Sequence, residues 1–120
     1  MKIIKLSETR VDDSPAPTFI GGKVSRHELV GKDLNDAFWL SLVRFEAGAR
    51  TLLHAHDFIQ VLYVTEGKGI LATREEAHEV EPGTVIVIPP GEAHWHGATA
   101  ETAFAHLAMG THGETEFYEE

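Results

Sequence analysis

Cysteine is absent from the 120 residues. That absence removes disulfide staples, thiolate zinc sites and cysteine nucleophiles together, so any bound metal has to be held by nitrogen and oxygen. Basic side chains are few: ten Lys and Arg stand against nineteen Asp and Glu, a formal net charge of −9, and no basic cluster interrupts the chain. Nucleic acid and anionic membrane are thereby excluded as main partners. No apolar run approaches the roughly 18 to 20 residues that span a bilayer. The opening MKIIKLSETR has charge without the apolar centre of a signal peptide, so the cytoplasm is the expected location. Also missing is any long segment with a 3.6-residue apolar period; SRHELVGKDLND has room for one helical turn at most.

What the chain does have is a succession of short segments rich in β-branched and aromatic residues, each closed by Gly, Pro or charged turn residues. They are TFIGGKVSRHELV, AFWLSLVRF, TLLHAH, FIQVLYVTEG, KGILATR, AHEVEP, TVIVIPPG, AHWHGA and TAFAHLAMG. Regular strands at this spacing predict an all-β sandwich or barrel with little or no helix. The length suits one core and one domain over residues 1–120. A first strand is expected in KIIKL (2–6), within an N-terminal strand and arm over 1–17, and a solvated acidic tail over 111–120. That tail offers Phe117 and Tyr118 for docking.

The chain also has eight histidines, and their placement is uneven. In LLHAHDFIQVLYVTEGKG, His54, His56 and Gln60 share a strand face with Leu62 and Val64, because strand side chains alternate. Two imidazoles and an amide aimed at an apolar interior need partners, since a buried polar group left unpaired costs roughly 1–3 kcal/mol. His96 lies two residues beyond His94 and shares its face. His106 alternates with Leu107 and points inward beside Phe104 and Ala108. His27, His78 and His112 fall at strand ends or loops and read as solvated. Ser41 and Thr51 offer hydroxyls at the rim, and Trp39, Val43, Phe45, Phe58, Leu62 and Trp95 are candidate walls.

Two spacings carry more than composition does. Gly48, His54, His56, Gln60 and Gly67 form one series; Gly83, Pro89, Gly91 and His94 form another, with only residues 68–82 between them. Together they resemble the two motifs of the cupin superfamily, over roughly residues 40–110. The resemblance implies a jelly-roll barrel of two antiparallel sheets. It also implies a divalent metal, manganese or iron ahead of nickel or zinc, held by His54, His56, Gln60 and His94. Gln60 stands where the usual motif has Glu, and Ala98 where the second motif often has Asn. A narrower likeness joins HWHGATAETAFAHLAM and ARTLLHAHDFIQVLYVTEGKG to the carboxymuconolactone-decarboxylase-associated cupins. These include manganese-dependent hydroxynitrile lyases with a three-His, one-Gln metal site. In that likeness His96 and His106 match the two non-ligand active-site histidines, whereas Gly110 replaces a Gln and Asp57 a common Pro.

Three function classes follow. The first is Lewis-acid and acid–base chemistry on a small organic substrate, including hydroxynitrile cleavage or formation. The second is an iron(II)-type dioxygenase, and the third a non-enzymatic metal-binding or small-molecule-binding barrel. AFWLSLVRF is apolar on both faces, which predicts a homodimer, with the N-terminal strand helping to cover a sheet edge.

Overall fold

The computed structural model describes residues 1–13 and 19–118. Thirteen strands run through it: β1 (Val11–Asp12), β2 (Phe19–Ile20), β3 (Val24–Val30), β4 (Trp39–Phe45), β5 (Arg50–Thr51), β6 (His54–His56) and β7 (Gln60–Gly67). They continue as β8 (Gly69–Ala72), β9 (Ala77–Val80), β10 (Val85–Ile88), β11 (Trp95–Ala98), β12 (Phe104–Gly110) and β13 (Thr115–Phe117). A six-stranded sheet has the order β1-β3-β4-β12-β7-β10 and faces a five-stranded sheet ordered β2-β5-β11-β8-β9. All pairings are antiparallel among the described residues. This is the expected all-β cupin barrel.

The period-2 pattern decides which side chains fill it. On β4, Ser41, Val43 and Phe45 are buried while Leu40, Leu42 and Arg44 point outward. On β7 the even positions Gln60, Leu62 and Val64 are buried, and on β12 Phe104, His106 and Ala108 are. Phe45, fully buried, is the hub: its ring lies 5.8 Å from Phe104, 6.0 Å from Phe19, 5.9 Å from His96 and 5.6 Å from His106. Phe45 and Leu62 thus belong to the core and not to the cavity wall. Trp95 is not a wall either, because its ring faces away from the cavity, under the Arg50 guanidinium at 4.5 Å.

Two expectations at the chain's ends are corrected. Residues 2–6 form no strand; Leu6–Glu8 makes a single 3-10 turn, and Ile3 and Ile4 stay 77% and 37% exposed. Two adjacent isoleucines alternate with nothing, and the sheet edge is covered instead by Val11–Asp12, which pairs with Arg26 and His27. The arm's remaining part, 14–17, lies outside the described residues. SRHELVGKDLND is strand through Val30 and then a tight turn in which Leu34 and Asn35 donate to the Gly31 carbonyl. The acidic tail is not simply a solvated end, because β13 pairs with β6 in the register Thr115↔His56 and Phe117↔His54.

The outer face of the six-stranded sheet is apolar across four strands. Val85 and Val87 are 56% and 58% exposed, Tyr63 44% and Met109 41%, and they pair in register with half-buried Val61, Leu107, Leu42 and Leu40.

Candidate metal centre and its cavity

The centre is assembled where two segments forty residues apart lock together. His54 N–H donates to the His94 carbonyl at 2.9 Å and His94 N–H to the His54 carbonyl at 2.8 Å, a two-way bridge that sets the rings side by side, 4.3 Å apart. IPPGEAH supplies the approach: Gly91, at φ +83°, makes a turn that a side chain would strain, and its N–H closes on the His56 carbonyl at 2.8 Å. One ring nitrogen from each of His54, His56 and His94 lies within 4.8 Å of the others. Gln60 enters from the start of β7, its side chain 5% exposed.

Each of the three imidazoles is pinned at the nitrogen pointing away from the cluster. Nδ1 of His54 lies 2.7 Å from the Leu52 carbonyl, Nδ1 of His94 2.9 Å from the Glu92 carbonyl, and Nδ1 of His56 2.8 Å from Thr115 Oγ1. A carbonyl can only accept, so Nδ1 carries the proton in His54 and His94 and Nε2 keeps its lone pair. Nε2 of His56, Nε2 of His94 and Oε1 of Gln60 are buried with no hydrogen-bond partner among the described residues. Buried acceptors left without partners, beside three ring nitrogens within 4.8 Å of one another, fit a cation, and the donor set of imidazole and amide suits a divalent transition metal. Thr115 is the contribution of the tail, and its signal in the sequence was only the alternation of Thr115 and Phe117 with acidic residues.

The two histidines beyond the centre form a pair. His106 Nε2 lies 3.0 Å from His96 Nδ1, and the two rings are 5% and 0% exposed for His96 and His106 respectively. His96 N–H donates to Thr51 Oγ1 at 3.1 Å, which fixes that strand. Burial pushes every one of these imidazoles below its ordinary range: His54 to about 3, with His94 adding to the effect; His56 to about 4, again with His94 and against Gln60 and Asp57; and His106 to about 4. His94 and His96 move in the same direction, His96 strongly because its neighbour His106 adds to the burial.

The consequence for stability has a definite sign. In the unfolded chain these groups take up protons as pH falls through about 6.5. The folded protein resists until about 3 to 4. Between those limits the unfolded state binds more protons, so stability is lost as pH falls below about 6.5 and the loss levels off only below about 3. Melting temperature measured between pH 7.5 and 4 is expected to decline progressively below 6.5; a flat profile to pH 4.5 would contradict the buried neutral cluster.

A cavity of about 570 Å³ lies over the centre. Its walls include Trp39, Val43, Phe58 and Phe117, with Ser41, Thr51, His96 and His106 deeper and Arg26, Glu28 and Lys32 at the mouth. Gly110 explains one departure noted in the sequence. A Cβ there would come within 2.8 Å of the Phe58 ring and 2.9 Å of the Trp39 ring, which meet edge-to-face at 6.0 Å. An aromatic pair thus fills the space a longer side chain at 110 would need.

His112 is a correction: it is half-buried, lines the cavity, and its Nε2 is buried without a partner among the described residues. His27 is half-buried too, its Nδ1 2.7 Å from Thr9 Oγ1, whereas His78 is exposed beside Glu76 as expected. Loop residue His112 is carried inward when β13 docks on β6, a long-range pairing without local signature.

The family model of the AraC-like ligand binding domain matches residues 40–115. Over 69 residues the chain is 51% identical to an (R)-mandelonitrile lyase of Granulicella tundricola; the match covers 56% of this chain and only about half, 52%, of the lyase. It is 31% identical over 97 residues to an uncharacterized protein of Methanocaldococcus jannaschii, covering 78% of this chain and 74% of that one. The crystal structure of a cupin-like protein from Thermotoga maritima superposes with a TM-score of 0.84 at 33% identity, over 90% of this chain and 84% of the other. With its motif glycines, its histidine cluster and its barrel in agreement, the chain belongs to the AraC-like ligand-binding domain family and is a small cupin.

Proposed function

We propose that this chain is a metal-dependent cupin lyase that cleaves or forms the carbon–carbon bond of a small hydroxynitrile. His54, His56, Gln60 and His94 would hold the metal, and the resemblance of the two motifs to the manganese-dependent cupin hydroxynitrile lyases favours manganese or iron over nickel or zinc. The observation that carries the reading is the set of buried, unpartnered acceptors, Nε2 of His56, Nε2 of His94 and Oε1 of Gln60, together with a buried, hydrogen-bonded His96–His106 pair. A divalent ion in this donor set supplies Lewis acidity toward a substrate hydroxyl or carbonyl oxygen.

The remaining work falls to the chain. His96 and His106 are neutral at pH 7, so the pair can accept one proton from a substrate hydroxyl and return it to the departing cyanide. The 3.0 Å contact lets the accepted charge be shared between two rings. The Trp39–Phe58 wall and Phe117 exclude water and give an aryl or alkyl body an apolar bed. Gln60 in place of a carboxylate leaves all four donors neutral, which preserves the full charge of a bound cation toward anions.

The test is metal analysis of untagged protein, followed by release of benzaldehyde and cyanide from mandelonitrile under air and under argon. Metal near one per chain, equal turnover in both atmospheres and a melting temperature lowered several degrees by chelator are expected. Turnover of an enol or diketone only in air would assign the dioxygenase reading instead. A second reading, ligand binding without turnover, is favoured by the match to a ligand-binding domain family; intact metal with no product from any substrate would select it.

The proposed assembly is a homodimer through the outer face of the six-stranded sheet. Eight outward side chains on β4, β12, β7 and β10 are apolar, and in a chain of net charge −9 this uncharged face is where two copies meet without repulsion. Sedimentation equilibrium is expected to give a dimer that Val87→Glu with Met109→Glu splits; an unchanged mass would exclude this face. A cytoplasmic location remains part of the proposal, and no helix among the described residues is long and apolar enough to cross a membrane.

A further inference from the structure

We propose that Arg26 is the anchor for a carboxylate on the substrate, so that the cavity takes a small molecule with an apolar, aryl-sized body and an anionic end facing the mouth. This rests on the reading of the cavity as a metal-dependent substrate site and narrows its substrate class.

The placement comes from the sheet register. Arg26 pairs with Val43, and Val43 with His106, so the three lie in one row across β3, β4 and β12 and project from the same face. Val43 and His106 are buried in the interior, which obliges Arg26 to point over the cavity and not to the outside. Two strand spacings separate Arg26 from His106, about 10 Å of backbone. That is room for one ring between a carboxylate at the mouth and a reacting carbon near the histidine pair.

The guanidinium is accessible. Among the described residues it meets Glu28, two residues along the same strand at 3.4 Å, with both side chains about half exposed at 48% and 54%, and Asp12 stands opposite it in the sheet register. An ion pair so exposed contributes little and exchanges readily for a better-shaped partner. The guanidinium fork matches a carboxylate with two parallel hydrogen bonds.

Charge supports the same assignment. The chain carries −9, yet Arg26 and Lys32 both line this one cavity, with Glu28 as the carboxylate of its lining and Asp12 opposite Arg26 on the neighbouring strand. A concave, low-dielectric wall concentrates their field. Glu28 beside the guanidinium leaves the mouth suited to one negative charge and opposes a dianion such as phosphate. Neutral ligands at the other end add no negative charge to offset it.

The experiment compares 4-(hydroxymethyl)benzoate with its neutral isostere 4-(hydroxymethyl)benzamide by calorimetric titration, on metal-loaded protein and after chelation, in the parent and in Arg26→Gln. The benzoate is expected to bind the loaded parent about tenfold more tightly than the benzamide, and Arg26→Gln to erase that preference at unchanged metal content. Part of the preference should persist after chelation and weaken with salt. Equal affinities in the parent, or a preference that survives Arg26→Gln and vanishes on chelation, would overturn the proposal; the latter would place the carboxylate on the metal and leave the metal-site reading intact. Protein that takes up no metal yet loses its benzoate preference in Arg26→Gln would sustain the Arg26 assignment while removing the lyase reading.

Discussion

His94→Ala is expected to abolish metal binding, lowering affinity by more than about 100-fold, and to remove turnover with it. Losing one orienting partner of a ligand already costs 10- to 100-fold, so losing the ligand itself costs more. The effect at His94 should match that at His54 or His56, because the three rings are held by one arrangement: the two-way backbone bridge between His54 and His94, and an outward Nδ1 contact on each ring. The bridge uses main-chain atoms and survives the substitution, so the variant should fold, although it will melt where the chelated parent melts. Metal per chain and the shift of melting temperature on adding chelator are the two measurements, with exposed His78→Ala as the control. A His94→Ala protein that retains one metal per chain would show that the orphaned nitrogens are not ligands.

His106→Ala is expected to give the opposite separation: metal retained, turnover lowered roughly 100-fold or more. General acid–base catalysis by a placed side chain contributes about 100- to 10,000-fold, and His106 lines the cavity and is joined to His96 by their 3.0 Å contact. His96→Ala should behave likewise. The fully buried ring of His106 packs on Phe45 and Phe104, so the alanine leaves a hole and stability falls as well. His106→Gln fills most of that volume and keeps a hydrogen-bond partner for His96, and it serves as the check that lost turnover is not lost folding. Metal stoichiometry and the pH dependence of kcat separate the roles: loss of metal along with activity would make His106 structural, and full activity in both alanine variants would remove the proton-moving pair altogether.

Much of this was legible in the chain because it depends on local geometry. Alternation along a strand is a fixed property of the backbone, so His54, His56, Gln60 and His106 could be assigned inward from their neighbours Leu62, Val64, Phe104 and Ala108 alone. Turns at Gly48, Gly67, Gly83 and Gly91 require left-handed backbone, and all four glycines adopt it at φ between +69° and +89°. The absence of cysteine restricted the donor set before any fold was considered.

Other features were decided only in three dimensions. That Thr115 steadies His56, that His112 reaches the cavity and that Trp39 and Phe58 close over Gly110 all follow from β13 docking on β6 and from β12 lying between β4 and β7. Arg26 looks like any solvated strand arginine until its row with Val43 and His106 is known. Residues 2–6 carried strand-like composition and found no strand partner, because the edge was taken by Val11–Asp12. The alternation that sorts a strand's side chains acts within the strand; which strand lies beside it is settled by the packing of the whole barrel, and that information is spread over the chain and resides in no one segment.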